Sequence, residues 1–444
     1  MRVLMMCAVL VVAMWARAHS PSPASRALQA AVQPYGPMDR GAIGNPYSRA
    51  YAYVNPAFRR MVLGAAEQTS EPSLGPAMRV VAQKPTAVWL ERSQSVAATL
   101  VGHLEGALTQ WKRVKSRRAM TVTVVLYNMP GRDCAARASR GELRRGQLDR
   151  YRSEFIDPIR KVLAQPAYRK LRVVVVLEPD SLPNLVTNMR SASCAGSAPE
   201  YESAIVYAIQ QLSTVPGVYL YMDAGNSTWL GWEHTERAAR LYRKVINKAG
   251  GPDRIRGFAT NVSSYTPTFE TFAPYEDIPR HRKVIEDFYQ WNRLKDEMSF
   301  VDAFREALGP DYQDKGFIVD TARNGWKSGS GRPSDARAHR GNWCNVEMAG
   351  LGNRPQVTSI PGVDAWMWLK PPGESDGRGT HAAPTRHPRL DPGGPDPACI
   401  PGKMLRNSVW PVSTNATPGA PQAGQWFQAH FEALVRNAQP PVRR

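Results

Sequence analysis

Apolar runs with the composition of β-strands recur along this chain and alternate with segments of helical periodicity. Seven such runs lie at residues 86–91, 121–128, 171–179, 217–225, 256–264, 316–325 and 364–373. Between some of them, residues 95–114, 201–212 and 234–250 place apolar side chains at helical spacing. Strands that alternate with helices predict a parallel sheet that is buried on both faces.

Seven predicted strands in one domain favour a closed or nearly closed parallel β/α barrel, with a doubly wound open sheet as the alternative. Either topology places reactive groups at the carboxyl ends of the strands. Polar residues follow six of the strands: Tyr127, Asp133, Glu178, Asp180, Asp223, Asn261, Asp320, Arg323, Lys370, Glu374 and Asp376. One acidic strand end is commonly a turn, but polar ends on six strands predict a site.

Composition limits the functions that this chain can have. Its 444 residues are 43% hydrophobic and 9% aromatic, which excludes a mainly disordered protein. The formal net charge of +19 can indicate an acidic partner. The Lys and Arg residues are scattered, without a basic helix or an RNP-like aromatic motif. We therefore expect no nucleic-acid partner, while attraction to an acidic cell wall stays open.

The first residues have the pattern of a signal peptide. Arg2 precedes an apolar run over 3–15, and residues 16–18 (Ala-Arg-Ala) offer a cleavage site. The run is short for a membrane span, and no later run is long enough. We predict a signal peptide at 1–18, a lead-in rich in Pro, Ser and Ala at 19–44, one folded domain at 45–444, and secretion without a membrane partner.

Four cysteines remain once a signal peptide containing Cys7 is removed: Cys134, Cys194, Cys344 and Cys399. An even number of cysteines in an oxidising compartment predicts disulfides. Their spacings fit no CxxC pattern for zinc or haem. We expect two disulfides, no metal and no cofactor.

Two segments, VLYNMPGRDCAARASRG (125–141) and VVVLEPDSLP (174–183), resemble the signature motifs of glycoside hydrolase family 6. Further matches follow in the family's order at 222–232, 257–265, 319–326, 342–346 and 368–377. The resemblance implies a distorted, incompletely closed parallel β/α barrel of about seven strands, with long loops over the cleft. It also implies hydrolysis of β-1,4-glucan with inversion at the anomeric carbon.

Inverting glycosidases use a protonated carboxylic acid and a carboxylate-assisted water, with carboxyl groups roughly 6.5–9.5 Å apart. By resemblance, Asp180 is the general acid, and the charge of Asp133 keeps it protonated. Asp133 is also expected to arrange the water together with Ser139. An ion pair between Asp133 and Arg132 is the structural alternative.

Asp376 matches the base proposed for the family. The resemblance predicts that Arg323 and Lys370 hold this carboxylate, which would make it a weak base. A water chain towards Asp133 is the alternative route for the proton. Tyr127 matches a tyrosine that crowds the scissile sugar and favours its distorted ring.

The remaining matches concern sugar binding. Glucose rings stack on aromatic side chains, and their hydroxyl groups need fixed polar partners. By resemblance, the stacking residues are Trp89, Trp229, Trp232 and Trp343. The expected hydroxyl partners are Glu91, Asn226, Asn261, Lys370 and Glu374. Asn226 stands where the family often has His, and Glu91 where many members have Asp.

The resemblance also implies the pairings Cys134–Cys194 and Cys344–Cys399, each of which ties a loop across the cleft. Residues 183–200 and 378–401 are predicted to be long loops that roof it. This favours a monomeric cellobiohydrolase acting on cellulose from non-reducing ends. The alternatives are an endo-β-1,4-glucanase of the same family and a noncatalytic glucan-binding surface protein.

Overall fold

The computed structural model describes residues 44–270, 292–326, 339–379, 395–407 and 410–443. Within them, a nine-stranded sheet has the order β1-β3-β4-β5-β6-β7-β9-β8, with β2 also paired to β3. Its strands are β1 Ala50–Ala52, β2 Val88–Leu90, β3 Ala119–Leu126, β4 Leu171–Leu177, β5 Val218–Asp223, β6 Gly257–Thr260, β7 Gly316–Asp320, β8 Gln356–Val357 and β9 Val363–Met367. All pairs are parallel except β8 with β9.

Helices flank the sheet, and an antiparallel hairpin of β10 (Met404–Asn407) and β11 (Trp410–Ser413) follows it. The helices are α1 Pro56–Gln68, α2 Gly75–Val81, α3 Val96–Val114, α4 Leu148–Arg150, α5 Asp157–Leu163, α6 Ser181–Thr187, α7 Ala192–Leu212, α8 Ser227–Leu230, α9 Thr235–Lys248, α10 Glu297–Leu308 and α11 Gln428–Arg436. A π-helical turn, Tyr151–Ile156, joins α4 to α5.

The sheet curls into a barrel with an incomplete seam between β2 and β9. These strands do not pair, but the backbone N–H of Ala87 donates to the carbonyl of Trp368 at 3.0 Å. The indole N–H of Trp89 donates to the carbonyl of Leu369 at 2.8 Å. The predicted distorted, incompletely closed β/α barrel is confirmed, and the doubly wound sheet is excluded.

Strand β4 shows why the apolar runs have no polar alternation. Val174 and Val176 pack with residues of neighbouring strands inside the barrel, whereas Val173 and Val175 pack under the outer helices. Because both faces of a parallel strand are buried, the run is continuously apolar. All its residues except Arg172 are fully buried.

All seven predicted strands are present, but two features of the fold differ from the prediction. The short strands β1 and β8, of three and two residues, were not among the predicted strands. Residues 183–200 are not a long loop: α6 and α7 occupy most of the segment and leave 188–191 between them. Pro183 lies in the first turn of α6, where a missing N–H costs no hydrogen bond, so its presence did not exclude a helix.

The predicted signal peptide, most of the lead-in at 19–44, and residues 380–394 of the second predicted loop lie outside the described residues. Among the helices that are described, none has the length and apolar character to span a bilayer.

Candidate active site

A cleft of about 950 Å³ lies at the carboxyl ends of the parallel strands. Most of the residues predicted from the sequence line it: Trp89, Glu91, Tyr127, Asp133, Ser139, Asp180, Asn226, Trp229, Trp232, Trp343, Lys370, Glu374 and Asp376. Arg323 lies beneath the cleft, and Asn261 is fully buried. The cleft therefore combines carboxylates from several strand ends with four indole rings.

Asp180 follows β4 and has a left-handed backbone, with φ at 68°. Its N–H donates to Oδ2 of Asp223 at 2.8 Å. Burial raises the pKa of the Asp180 carboxyl well above its ordinary value, and the charges of Asp223, Asp133 and Asp376 raise it further, in that order. An acid with so high a pKa keeps its proton near neutral pH.

Asp223 is a site residue that the motif comparison missed. It ends β5, and its carboxylate accepts from the backbone N–H groups of Asp180 and Gly225. Its charge adds to that of Asp133, the charged neighbour predicted from the sequence, in raising the pKa of Asp180. In the sequence, its position at the end of a predicted strand indicated that it could belong to the site.

Two hydroxyl groups hold Asp133. The Tyr127 hydroxyl donates to Oδ1 at 2.6 Å, and the Ser139 hydroxyl donates to Oδ2 at 2.5 Å. The alternative ion pair with Arg132 is not formed, because Arg132 pairs with Glu91 at 3.5 Å and lies over the Tyr127 ring. Burial and the charge of Asp133 raise the pKa of Tyr127 well above its usual range, so this phenol keeps its donor proton.

Asp376 is held by one cation, not by two. Arg323 donates from Nη1 to both carboxylate oxygens, at 2.8 and 2.7 Å, and Tyr265 and the N–H of Asn345 donate to Oδ2 at 2.8 Å each. The predicted contact with Lys370 is wrong, because Nζ of Lys370 pairs with Glu374 at 3.3 Å. Four donated hydrogen bonds occupy the carboxylate oxygens of Asp376 and fix its position.

Asn261 does not serve as a sugar-binding side chain in this arrangement. Its Nδ2 donates to the carbonyls of Thr266 and Asp320, and its Oδ1 accepts from the N–H of Thr266. The side chain is fully buried. The prediction that it binds a hydroxyl group is therefore corrected: Asn261 fixes the turn after β6.

The four indoles are all half-buried, so each keeps an accessible face. Trp89 packs edge-on against Tyr127 with ring centroids 5.2 Å apart, and Nζ of Lys370 lies 5.1 Å from its ring centroid. The Trp229 indole N–H donates to Thr187 at 2.7 Å. Asn226 accepts from the hydroxyl of Thr228 at 2.6 Å while lining the cleft.

Two acidic strand ends support the site from below instead of lining it. Glu178 accepts from the N–H groups of Asn128 and Met129 and from the Tyr151 hydroxyl, and burial raises its pKa to about 7. Asp320 accepts from backbone N–H groups in three segments, and burial raises its pKa to about 6. These carboxylates tie together the loops that carry the cleft residues.

Both implied disulfides, Cys134–Cys194 and Cys344–Cys399, are present. The first ties the segment after β3 to α7, and the second ties the segment before Asn345 to the one before β10. These bridged segments also touch each other: the N–H of Arg137 donates to Oδ2 of Asp396 at 2.9 Å. Gly377 lies against Ala138, where an added Cβ would stand 2.6 Å away from the Ala138 Cβ.

No group of three or more His, Cys, Asp or Glu side chains suited to a metal ion occurs among the described residues. The chemistry that the cleft itself offers is proton transfer by carboxyl groups, in a setting that can stack sugar rings.

Sequence comparison identifies relatives of this chain. The chain is 38% identical to Exoglucanase A of Cellulomonas fimi, over 90% of this chain and 49% of that protein. It is 35% identical to Exoglucanase-6A of Humicola insolens, over 90% of this chain and 75% of the relative. The chain thus spans about half the length of the first of these relatives.

Solved structures match as well. The catalytic domain of Cellulomonas fimi Cel6B superposes with a TM-score of 0.81 at 36% identity, covering 91% of this chain and 97% of that one. The CcCel6A catalytic domain bound to p-nitrophenyl β-D-cellotrioside has a TM-score of 0.76 at 35% identity, covering 90% and 99%. The model of the glycosyl hydrolases family 6 matches residues 47–438. The chain belongs to glycosyl hydrolase family 6.

Proposed function

We propose that this protein is a secreted β-1,4-glucan hydrolase that inverts the anomeric carbon and releases cellobiose from non-reducing chain ends. The observation that carries the proposal is the position of Asp180 in the cleft, close to Asp223, Asp133 and Asp376. Burial and these three charges raise its pKa, which suits a general acid at a poor leaving group.

In the proposed reaction, Asp180 protonates the glycosidic oxygen while a water attacks the anomeric carbon from the opposite face. Ser139 and Asp133 are placed to orient this water, because the Ser139 hydroxyl donates to Asp133 and keeps its lone pairs for another donor. The proton of the water passes towards Asp133. Asp376 contributes charge and structure, since its oxygens are occupied by Arg323, Tyr265 and Asn345.

The contact between the two disulfide-bridged segments supports exo action. Arg137 and Asp396 both line the cleft, and the bond between them joins one segment to the other. A cleft closed by such a contact admits a chain end more readily than an internal segment. Because adjacent glucose units face opposite ways, only every second bond presents its oxygen to Asp180, and the product is a disaccharide.

The relatives support the same assignment: the names of several contain exoglucanase or cellobiohydrolase. Cellulose is the proposed substrate. The signal pattern at 1–18 supports export, where the two disulfides would persist. We propose that the enzyme acts as a monomer.

The proposal is tested with carboxymethylcellulose and swollen cellulose. An exo-acting enzyme releases mainly cellobiose and lowers viscosity slowly relative to the sugar released. A rapid early loss of viscosity with mixed longer oligosaccharides would identify an endoglucanase. Binding to cellulose without release of soluble sugar would identify a noncatalytic glucan-binding protein.

A further inference from the structure

Arg340 is a buried arginine that connects the chain segments of two cleft tryptophans, Trp229 and Trp343, without lining the cleft itself. Arg340 is only 5% exposed, and its Nη2 shares its protons among Oγ of Ser227 at 2.9 Å and the carbonyls of Leu294 at 3.0 Å and Lys295 at 3.2 Å. A buried guanidinium is costly unless it is fully engaged by partners. The position of this cation between its own segment, Ser227 and residues 294–295 therefore needs a structural explanation.

The first of these segments carries Trp229. Ser227 begins the four-residue helix α8 and is fully buried. Its N–H donates to Oε1 of Glu297 at 2.8 Å, and its carbonyl accepts from Nδ2 of Asn292 at 2.8 Å. With its hydroxyl bound to Arg340, every polar group of Ser227 is engaged. Trp229 lies two residues further on in the same short helix, so the position of its backbone depends on this anchor.

The second segment carries Trp343, three residues after Arg340. Between them, the N–H of Asn342 donates to the carbonyl of His339 at 3.1 Å, which makes a tight turn. Asn342 also donates to Ser413 and Asn415 in the C-terminal part of the chain. Arg340 thus ties the start of the Trp343 segment to the anchor of Trp229.

The close packing of this junction leaves little room for adjustment. An added Cβ on Gly231 would stand 2.2 Å from the carbonyl oxygen of Ser227 and 2.8 Å from Nδ2 of Asn292. Since cores this dense transmit displacements instead of absorbing them, a change at Arg340 should reach both indoles.

We propose that Arg340 is a positioning residue that sets the spacing between Trp229 and Trp343 through Ser227, and so determines how tightly the cleft holds a β-1,4-linked oligosaccharide long enough to touch both. This inference rests on the proposed function. It deepens that function by placing a determinant of chain-length preference outside the cleft surface.

The test measures binding without turnover, by calorimetric titration of cellohexaose into the Asp180→Asn background. Arg340→Met should weaken binding by about tenfold, as expected for loss of a charge-assisted anchor. Arg340→Lys, which keeps the charge and one donor to Ser227, should recover most of the affinity. Arg354→Met is the matched control, because Arg354 also donates to backbone carbonyls, but these belong to Gly352 and Pro440 and not to the segments of Trp229 or Trp343.

Ser227→Ala removes one acceptor of Arg340 and the hydroxyl that donates to the carbonyl of Leu294, and it leaves Arg340 its two carbonyl acceptors, so the loss should be about threefold. The same change added to Arg340→Met should cost less than it does alone, because the contact with Arg340 is already absent and only the contact with Leu294 is left to lose. Cellohexaose affinity that is equal in Arg340→Met, Arg354→Met and the background, with only thermal stability reduced, would overturn the inference.

Hydrolysis by the chain with an intact Asp180 is measured separately. If that chain fails to cleave cellulose while the Asp180→Asn background still binds cellohexaose, the proposed function fails and the titrations still decide the inference. If the Asp180→Asn protein does not bind cellohexaose, Trp229 and Trp343 do not form a glucan site and the inference is wrong.

Discussion

The backbone N–H of Asp180 donates to the carboxylate of Asp223 at 2.8 Å, so two acidic residues from neighbouring strands are held side by side. The hydrogen bond favours the charged form of Asp223, which burial disfavours, and burial together with the charge of Asp223 raises the pKa of the Asp180 carboxyl. The pKa of Asp223 itself is raised to about 7 by burial. This pairing sets the conditions under which Asp180 can act as an acid.

Asp223→Asn should shift the alkaline limb of the pH profile of kcat/KM to lower pH. The variant keeps an oxygen acceptor for the Asp180 N–H but removes a negative charge, so the pKa of Asp180 falls and its acid form is lost sooner as pH rises. Asp133→Asn should shift the limb less, because its charge contributes less. If the alkaline limb does not move in Asp223→Asn, the charge of Asp223 does not raise the pKa of Asp180.

Asp180→Asn should reduce cleavage of cellotetraose by at least about 100-fold, because general acid assistance is lost at a poor leaving group. An aryl cellobioside with a good leaving group should be affected much less. The ratio of the two rates is the measurement. Equal losses on both substrates would remove Asp180 from the acid role.

Ser139→Ala should lower kcat by about 10- to 100-fold with little change in KM, since orienting the water matters only in the transition state.

Asp376→Asn should mainly lower the melting temperature, because it loosens the buried contacts of Arg323 and Tyr265. Kinetics and thermal melts on both variants decide the matter. A folded Asp376→Asn variant that is inactive, beside a fully active Ser139→Ala variant, would reverse these roles.

Glu297→Gln should raise stability at alkaline pH. Burial raises the pKa of Glu297 to about 8, above its unfolded value of about 4.5, so its ionisation costs stability increasingly between these two values. Gln keeps the oxygen that accepts from Ser227 and cannot ionise. The melting temperatures of the two proteins should agree near pH 4 and separate by pH 8 in favour of the variant. Parallel curves would contradict the assignment.

Residues 19–444 should have no titratable thiol after unfolding without reductant. The disulfides join residues 60 and 55 positions apart, for which chain entropy predicts about 4 kcal/mol each. Mass spectrometry of unreduced peptides should find Cys134 with Cys194 and Cys344 with Cys399. A Cys134–Cys344 peptide would contradict the loop arrangement.

The sequence alone was enough to predict seven strands of the sheet, and most of the site residues predicted from it line the cleft. Buried parallel strands are continuously apolar, so each of the seven long runs marked a strand. Since parallel strands end at one rim, the residues after them were expected to meet, as Asp133, Asp180 and Asp376 do. The family motifs then separated Trp89 or Trp229 from indoles that only pack in the core.

What the sequence did not reveal depends on distances across the fold. Lys370 is four residues from Glu374 and pairs with it, although the motif resemblance placed it on Asp376. The side-chain amide of Asn261 could hydrogen-bond a sugar hydroxyl, but it is already bonded to Thr266 and Asp320. From the sequence, Asp223 could not be distinguished from other acidic residues at strand ends, because its contact with Asp180 depends on the fold.

Direct displacement by water at the anomeric carbon, with Asp180 as the acid, is tested by proton NMR during the first minutes of cellotetraose cleavage. The anomers are distinguished at this stage, before mutarotation mixes them. With direct displacement, the new reducing end appears as the α-anomer and then relaxes towards equilibrium. Initial appearance of the β-anomer would require a covalent intermediate and would exclude direct displacement.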